Sequence, residues 1–432
     1  VGRPHIADAL IAAGAERPAA IFGGGAVAGD EHAPHVGGAT RVIQCSVQFV
    51  HRVRAKSIAH VRPIKRDSHN PVAAAFAYVT VVGDVSEVFE TRNGAPLRRV
   101  KRVVCAVGHD HYPINMPSLD DVLDRAHVVS LPMRVRFRGV DTREALLIDG
   151  PAGWGEFAPF LEYGDDEASS WLASALESAY EGVPPLPREV VEVNATVPAV
   201  SAADVSGILD RFPGCRVVKV KVAEPGQSLC DDVARIDAVR AARPDALIRV
   251  DANRGWNVEQ AIEASRVLGP LDYMEQPCAT LAELAEVRRR AGVCVAADES
   301  IRRADDPYRV AREGAADVAV IKVAPLGGVR RVCELAEFMH ARGLGLTVAS
   351  ALDTAVGMNA GLAAAALVGE RAAGLATQEF FLEDVAEPRV IQNGRMSTVL
   401  VAPEPDRLAA LAASSGRRDW WLERVRRVWA FL

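Results

Sequence analysis

Val217-Val218-Lys219-Val220-Lys221-Val222 is the run on which the fold of this chain turns. From Val218 onward valine and lysine alternate with the two-residue period of a β-strand, so both lysines point to one face and the valines to the other. On an exposed sheet edge such lysines would guard against aggregation. On a face that packs inward, two ammonium groups side by side are costly and need something to offset them. The surrounding sequence has to decide between these.

Working outward, strand-like runs recur at Val190–Val197, Val217–Val222, Leu247–Asn253, Tyr273–Gln276, Cys294–Glu299, Asp317–Val323, Gly345–Ser350 and Leu375–Phe380. Amphipathic or Ala-rich stretches of helical length lie between them, among them Asp231–Ala242, Val258–Leu268, Ala282–Ala291 and Val329–Arg342. Eight strands alternating with helices over about 190 residues predict an α/β fold of the parallel (β/α)7β barrel type. A doubly wound open sheet is the alternative. Before the barrel, alternation at Arg134–Arg138 and Glu144–Asp149, a Gly-rich turn at Gly153–Gly155 and a helix near Asp166–Glu181 predict a small α+β unit. Prolines 184, 185 and 187 mark a linker. After Phe380 come turns and a final helix with Trp420, Trp421 and Trp429, expected to pack on the small unit. The expected division is 116–187 and 381–432 for that unit and 188–380 for the barrel.

Residues 1–115 differ in composition. They carry 14 Lys/Arg against 9 Asp/Glu, eight of the ten histidines, no tryptophan and no methionine. Gly23–Gly29 has a faint likeness to a dinucleotide-binding turn but lacks a preceding strand and a ribose-binding acid, so a loop is expected. His109-Asp110-His111 has metal-ligand residue types without a partner cluster, which fits a solvated loop. This segment is expected to be a disordered extension, or the result of a start assigned upstream of Met116. The whole chain of 432 residues is 49% hydrophobic with a formal charge of −6, which gives no reason to expect nucleic acid as a partner. The longest uncharged run near the barrel's end is too short and too rich in Ala and Gly for membrane insertion. Seven scattered cysteines without a Cys-x-x-Cys pair fit reduced thiols in a cytoplasmic protein.

The polar residues sort by position. Strand three ends in Asp251-Ala252-Asn253, strand four in Glu275-Gln276-Pro277, strand five in Asp298-Glu299-Ser300, and strand six carries Lys322. In a barrel those C-terminal ends converge on one mouth. Taken singly, each acid could be a loop cap or an ion-pair partner. Together, three carboxylates on consecutive strands suit a hard, oxygen-ligated cation such as Mg²⁺, or Mn²⁺ in its place. A lysine with a pKa near 10.4 is a poor base at neutral pH, so Lys221 would have to drop by about three units, roughly 4 kcal/mol. Burial, Lys219 and a nearby dication would all push that way. Such a site suits removal of a proton beside a carboxylate.

From about residue 116 the chain resembles the enolase superfamily in its muconate-lactonizing subgroup, most closely the o-succinylbenzoate synthases of actinobacterial type. The motifs that carry the resemblance are Lys219-Val220-Lys221, Asp251-Ala252-Asn253, Glu275-Gln276-Pro277, Asp298-Glu299-Ser300 and Ile321-Lys322, with Arg138-Gly139-Val140 and Gly153–Phe160 pulling toward the synthases. The resemblance implies Asp251, Glu275 and Asp298 as metal ligands, Lys221 as the base, and Lys322 as a cation on the opposite face. Lys219 would tune Lys221 and help hold a substrate carboxylate, and Asn253 would support the metal shell. Ser350 is a candidate for the substrate's distal polar group or, equally, a cap for the segment near Asp353. The loop around Arg138 together with Trp154–Phe160 would close over the mouth as a substrate-binding lid.

The implied activity is dehydration of 2-succinyl-6-hydroxy-2,4-cyclohexadiene-1-carboxylate to 2-succinylbenzoate in menaquinone biosynthesis, with a small-molecule carboxylate as substrate. N-succinylamino acid racemase, dipeptide epimerase and muconate cycloisomerase would use the same machinery. A non-catalytic binding protein on the same barrel is an alternative of another class.

Overall fold

The structure, a computed structural model, describes residues 116–137, 140–303 and 306–432. Gly23–Gly29, His109-Asp110-His111 and Arg138 lie outside the described residues, as do the side chains of residues 135–140. Among the described residues no helix is long and apolar enough to cross a membrane.

After a short helix at Leu119–Asp124, the described chain builds an antiparallel meander of β1 (Ala126–Phe137), β2 (Val140–Gly150) and β3 (Gly153–Phe157). The helix Asp165–Leu176 packs on it and runs into a π-helical turn, Glu177–Glu181. The core of this unit includes Leu131, Leu146, Phe157, Trp171 and Leu172. Trp421, Val425 and Val428 of the last helix, Ser415–Trp429, join the same core. Glu144 fixes that helix in place, accepting from Trp421 Nε1 at 3.0 Å and from Arg417 Nε at 2.9 Å.

After β4 (Val190–Glu192) the chain enters the barrel through β5 (Ala195–Val197), β6 (Val217–Lys221), β7 (Leu247–Asp251), β8 (Tyr273–Glu275), β9 (Val295–Ala297), β10 (Val318–Ile321) and β11 (Gly345–Val348). These seven form one parallel sheet in chain order. A short β12 (Arg395–Ser397) pairs with β4. Self-capped helices sharpen the βα turns. Asn257 and Gln260 bond each other's backbone N–H, as Thr280 does with Glu283, so each helix starts at a fixed place after its strand.

Sheet register fixes what faces inward. The residues Thr196, Lys219, Arg249 and Tyr273 stand side by side, and two residues further along so do Lys221, Asp251 and Glu275. Inside the barrel Tyr273, Ala296, Val318, Val320 and Ala349 form a small apolar layer. Arg249 lies near its floor, stacked on the Tyr273 ring at 4.7 Å and donating to Asp272, Asn194 and the Ala372 carbonyl.

The eighth strand differs from the one predicted at Leu375–Phe380. The barrel seam is closed two residues earlier, by parallel bridges of Ala373 to Val193 and Gly374 to Ala349. Ala376–Phe380 is a 3-10 helix instead. Its apolar residues Leu375, Ala376 and Phe380 are buried with helical rather than alternating spacing, so they read as a strand only from composition.

Candidate active site

The C-terminal ends of β6 to β10 carry seven of the anticipated groups. Lys219 Nζ lies 3.1 Å from Asp251 Oδ2 and 3.0 Å from Glu275 Oε1. Lys221 Nζ donates to Asp251 Oδ2 and to Asn253 Oδ1, both at 2.6 Å. On the other side, Lys322 pairs with Asp298 Oδ1. Asp251, Glu275 and Asp298 are all buried. The three acids sit on strands spaced by about 4.8 Å, with Asp251 directly opposite Glu275 in register.

Burial opposes every one of these charges, and the neighbours decide the outcome. For Lys219 burial pulls the pKa down, but Glu275 and Asp251 overturn it and hold the ammonium well above its ordinary value. For Asp251 burial pushes up, yet Lys221 and Lys219 keep the carboxyl well below the usual range. Glu275 goes the other way: burial, with Asp251 and Asp298 nearby, pushes it up to about 7 despite Lys219. Its Oε2 is buried without a hydrogen-bond partner.

That orphaned oxygen is the test of whether a cation fits. Three buried carboxylates, one with an unmet acceptor and a raised pKa, form an all-oxygen donor set, which suits a hard divalent ion. Among the described residues, no three acidic, His or Cys side chains already surround a common point. Lysine ammonium groups bridge the acids instead. The donors fit in chemistry and strand position.

The positioning residues are backbone-strained. Asn253 has φ +43° and Gln276 φ +38°, values uncommon for side chains other than glycine. Asn253 links Lys221 to Glu299, accepting from Lys221 Nζ on Oδ1 and donating from Nδ2 to Glu299 Oε1 at 3.0 Å. Gln276 had no anticipated role. Its Oε1 accepts from the Asp298 N–H at 3.0 Å and the Ser300 N–H at 3.1 Å, while Nε2 donates to Ser300 Oγ and the Cys278 carbonyl. One amide thus ties the end of β8 to the turn that presents Asp298. Arg302 is a second unanticipated group, 3.4 Å from Asp298 Oδ2 and 2.8 Å from Glu299 Oε1. The only sequence signal for either was adjacency to the acidic motifs.

Ser350 lies in a turn with Asp353. Its hydroxyl donates to Asp353 Oδ2, accepts the N–H of Leu352 and of Asp353, and meets Thr377 Oγ1 at 2.9 Å. It is committed to a turn that precedes the helix Met358–Val368 by several residues. Trp154–Phe160 overlaps the last strand of the meander. Gly153–Phe157 is β3, and buried Glu156 accepts from the Thr354 N–H at 3.0 Å, fastening β3 to the turn after β11. Arg143 adds a bond to the Leu352 carbonyl at 3.1 Å.

A parallel barrel of this type, joined to a small α+β unit, is the architecture of enolase-like proteins. A family model described as enolase C-terminal domain-like matches residues 207–403, and one described as enolase N-terminal domain-like matches residues 128–179. The muconate lactonizing enzyme from Pseudomonas putida has the same fold, with a TM-score of 0.57 and 23% identity over 67% of this chain and 98% of that one. At the level of sequence the likeness is closer. The o-succinylbenzoate synthase of Mycolicibacterium smegmatis is 57% identical over 315 residues, 72% of this chain and 97% of that protein. The one from Mycobacterium tuberculosis H37Rv is 54% identical over 322 residues, 73% of this chain and 97% of that protein. The chain belongs to the o-succinylbenzoate synthase family of the enolase superfamily and is an enzyme, of a superfamily that depends on a divalent metal.

Proposed function

We propose that this chain is a carbon–oxygen lyase that dehydrates 2-succinyl-6-hydroxy-2,4-cyclohexadiene-1-carboxylate to 2-succinylbenzoate, a cytoplasmic step of menaquinone synthesis. The observation that carries this reading is the row Lys221, Asp251, Glu275 on β6, β7 and β8, continued by Asp298 and Lys322, in a chain 57% identical to a protein named for that reaction. Asp251, Glu275 and Asp298 would hold Mg²⁺, or Mn²⁺. When bound, the ion supplies positive charge to the substrate carboxylate and so acidifies the neighbouring C–H.

The chain's own residues divide the remaining work. Lys219, held protonated between two carboxylates, serves as a fixed cation for the substrate carboxylate. Lys221, oriented by Asn253, takes the α-proton onto Nζ. Lys322 faces the developing negative charge from the other side of the acids. Lys221 returns that proton to the β-hydroxyl, which departs as water, and the ring becomes aromatic, which makes the loss easy. Arg138 and the strand Gly153–Phe157 would shape the space above the mouth.

Purified protein should turn over the cyclohexadiene acid in a Mg²⁺-dependent manner. Racemisation of an N-acylamino acid without dehydration would replace this reading with the racemase one, in which Lys322 also acts as a base.

A further inference from the structure

One carboxylate joins the small unit to the loop that carries Lys322. Glu177 opens the π-helical turn Glu177–Glu181, and its side chain, 11% exposed, enters the N-terminus of the barrel helix Val329–His340. Oε1 accepts the Val329 N–H at 2.7 Å, and the Arg330 N–H lies 3.3 Å from Oε2. Charge-assisted bonds to amides at a helix N-terminus are among the stronger neutral-to-ion contacts. The neighbouring residue is shaped for it. Gly328 has φ +122°, and a Cβ there would stand 2.7 Å from Glu177 Oε2. The Arg330 guanidinium closes the other side, 3.4 Å from Glu181 Oε2 and donating to the Gly182 carbonyl at 3.0 Å.

The segment so held is short. It runs from Lys322 through the helical turn Val323–Leu326 to Gly327 and Gly328. Val323 and Leu326 are buried in the barrel core, while Ala324 packs against the core of the small unit. The near end is fixed by the Lys322–Asp298 pair and the far end by Glu177.

We infer that Glu177 is a positioning residue: by clamping the Gly328–Arg330 corner to the small unit, it fixes the backbone from which Lys322 reaches the barrel mouth. The inference rests on the role given above to Lys322. A contact that only stabilised the fold would leave the turnover of folded protein unchanged.

The test compares full-length wild type with Glu177→Ala, Glu177→Asp and Glu177→Gln for kcat and KM on the cyclohexadiene acid, with amide hydrogen exchange over residues 322–330. Small displacements of a catalytic group cost rate, so Glu177→Ala should lose about tenfold in kcat with KM within about twofold. Exchange at 322–330 should quicken while that of β6 stays unchanged. Glu177→Gln keeps an oxygen for the Val329 N–H and should restore most of kcat. Should the alanine variant fail to fold, Glu177→Asp, too short to reach both amides, is expected to show the same pattern at smaller amplitude. Folded Ala or Asp variants with wild-type kcat, or exchange quickened equally throughout the barrel, would overturn the inference. A wild type inactive on this acid would sink the assigned reaction instead, and the local exchange would still decide whether Glu177 holds the corner.

Discussion

Lys219 and Lys221 share one oxygen: both ammonium groups reach Oδ2 of Asp251, at 3.1 and 2.6 Å. The alternating strand that looked costly in isolation is thus compensated across the sheet by the next strand. Asp251 also meets Glu275 in register, and Glu275 in turn holds Lys219. Removing any one member leaves a buried charge without its partner, which is the expensive outcome for such networks.

If Glu275 holds the metal as proposed, it makes the metal's affinity depend on pH. Burial, with Asp251 and Asp298 beside it, pushes its carboxyl up to about 7, and a ligating carboxylate must be ionised. Below pH 7 the metal has to displace a proton, so Mg²⁺ affinity should fall by about tenfold per pH unit. Calorimetry in two buffers of different ionisation enthalpy should find close to one proton released per ion bound at pH 6. No proton release would contradict the assignment.

The metal-free fold should be more stable in mild acid. Burial raises Glu177 and Glu156 to about 7 and Asp384 to about 6. Each then binds its proton more tightly folded than unfolded, so its contribution is full below the unfolded value, 4.5 for the glutamates and 3.8 for Asp384, and is lost as pH rises through the folded one. Thermal midpoints measured in chelator should rise from pH 8 to pH 6. A midpoint that falls over that interval would show that these acids are ionised without strain.

If Asp298 is a metal ligand as proposed, Gln276→Leu should weaken metal binding without removing a ligand. It removes the acceptor for the Asp298 and Ser300 N–H groups. Loss of such outer contacts typically costs 10- to 100-fold in metal affinity, so about tenfold weaker Mg²⁺ binding is expected. The orphaned N–H groups should also cost about 1–3 kcal/mol of stability in denaturant titration. Unchanged affinity would deny Gln276 its clamp.

Ser350→Ala separates a turn from a substrate contact. The hydroxyl is fully engaged with Asp353, Leu352 and Thr377, so about 1–3 kcal/mol of stability should go while KM stays within about twofold. A large rise in KM at wild-type stability would return Ser350 to the substrate.

What the sequence disclosed depended on local pattern. Alternation at Val217–Val222, the helical stretches Val258–Leu268 and Ala282–Ala291, and acids closing apolar strands are periodic or adjacent signals, and each appears in its expected element. The eighth strand misled because Leu375, Ala376 and Phe380 are apolar for a helical reason. Gln276 and Glu177 were illegible for another reason. Their partners are fixed by tertiary proximity, as with Glu177 and Val329, and no spacing along the chain encodes that meeting. Ser350 itself read equally as a cap or a contact, and only its crowded hydroxyl distinguishes them.

The central claim, that cations and carboxylates at one barrel rim abstract a proton, is tested most directly by the Mg²⁺-dependent rate of Lys221→Ala on the cyclohexadiene acid. Loss of a general base predicts a fall in kcat of at least about 10²-fold with Mg²⁺ still bound. A variant turning over at the wild-type rate would contradict the account.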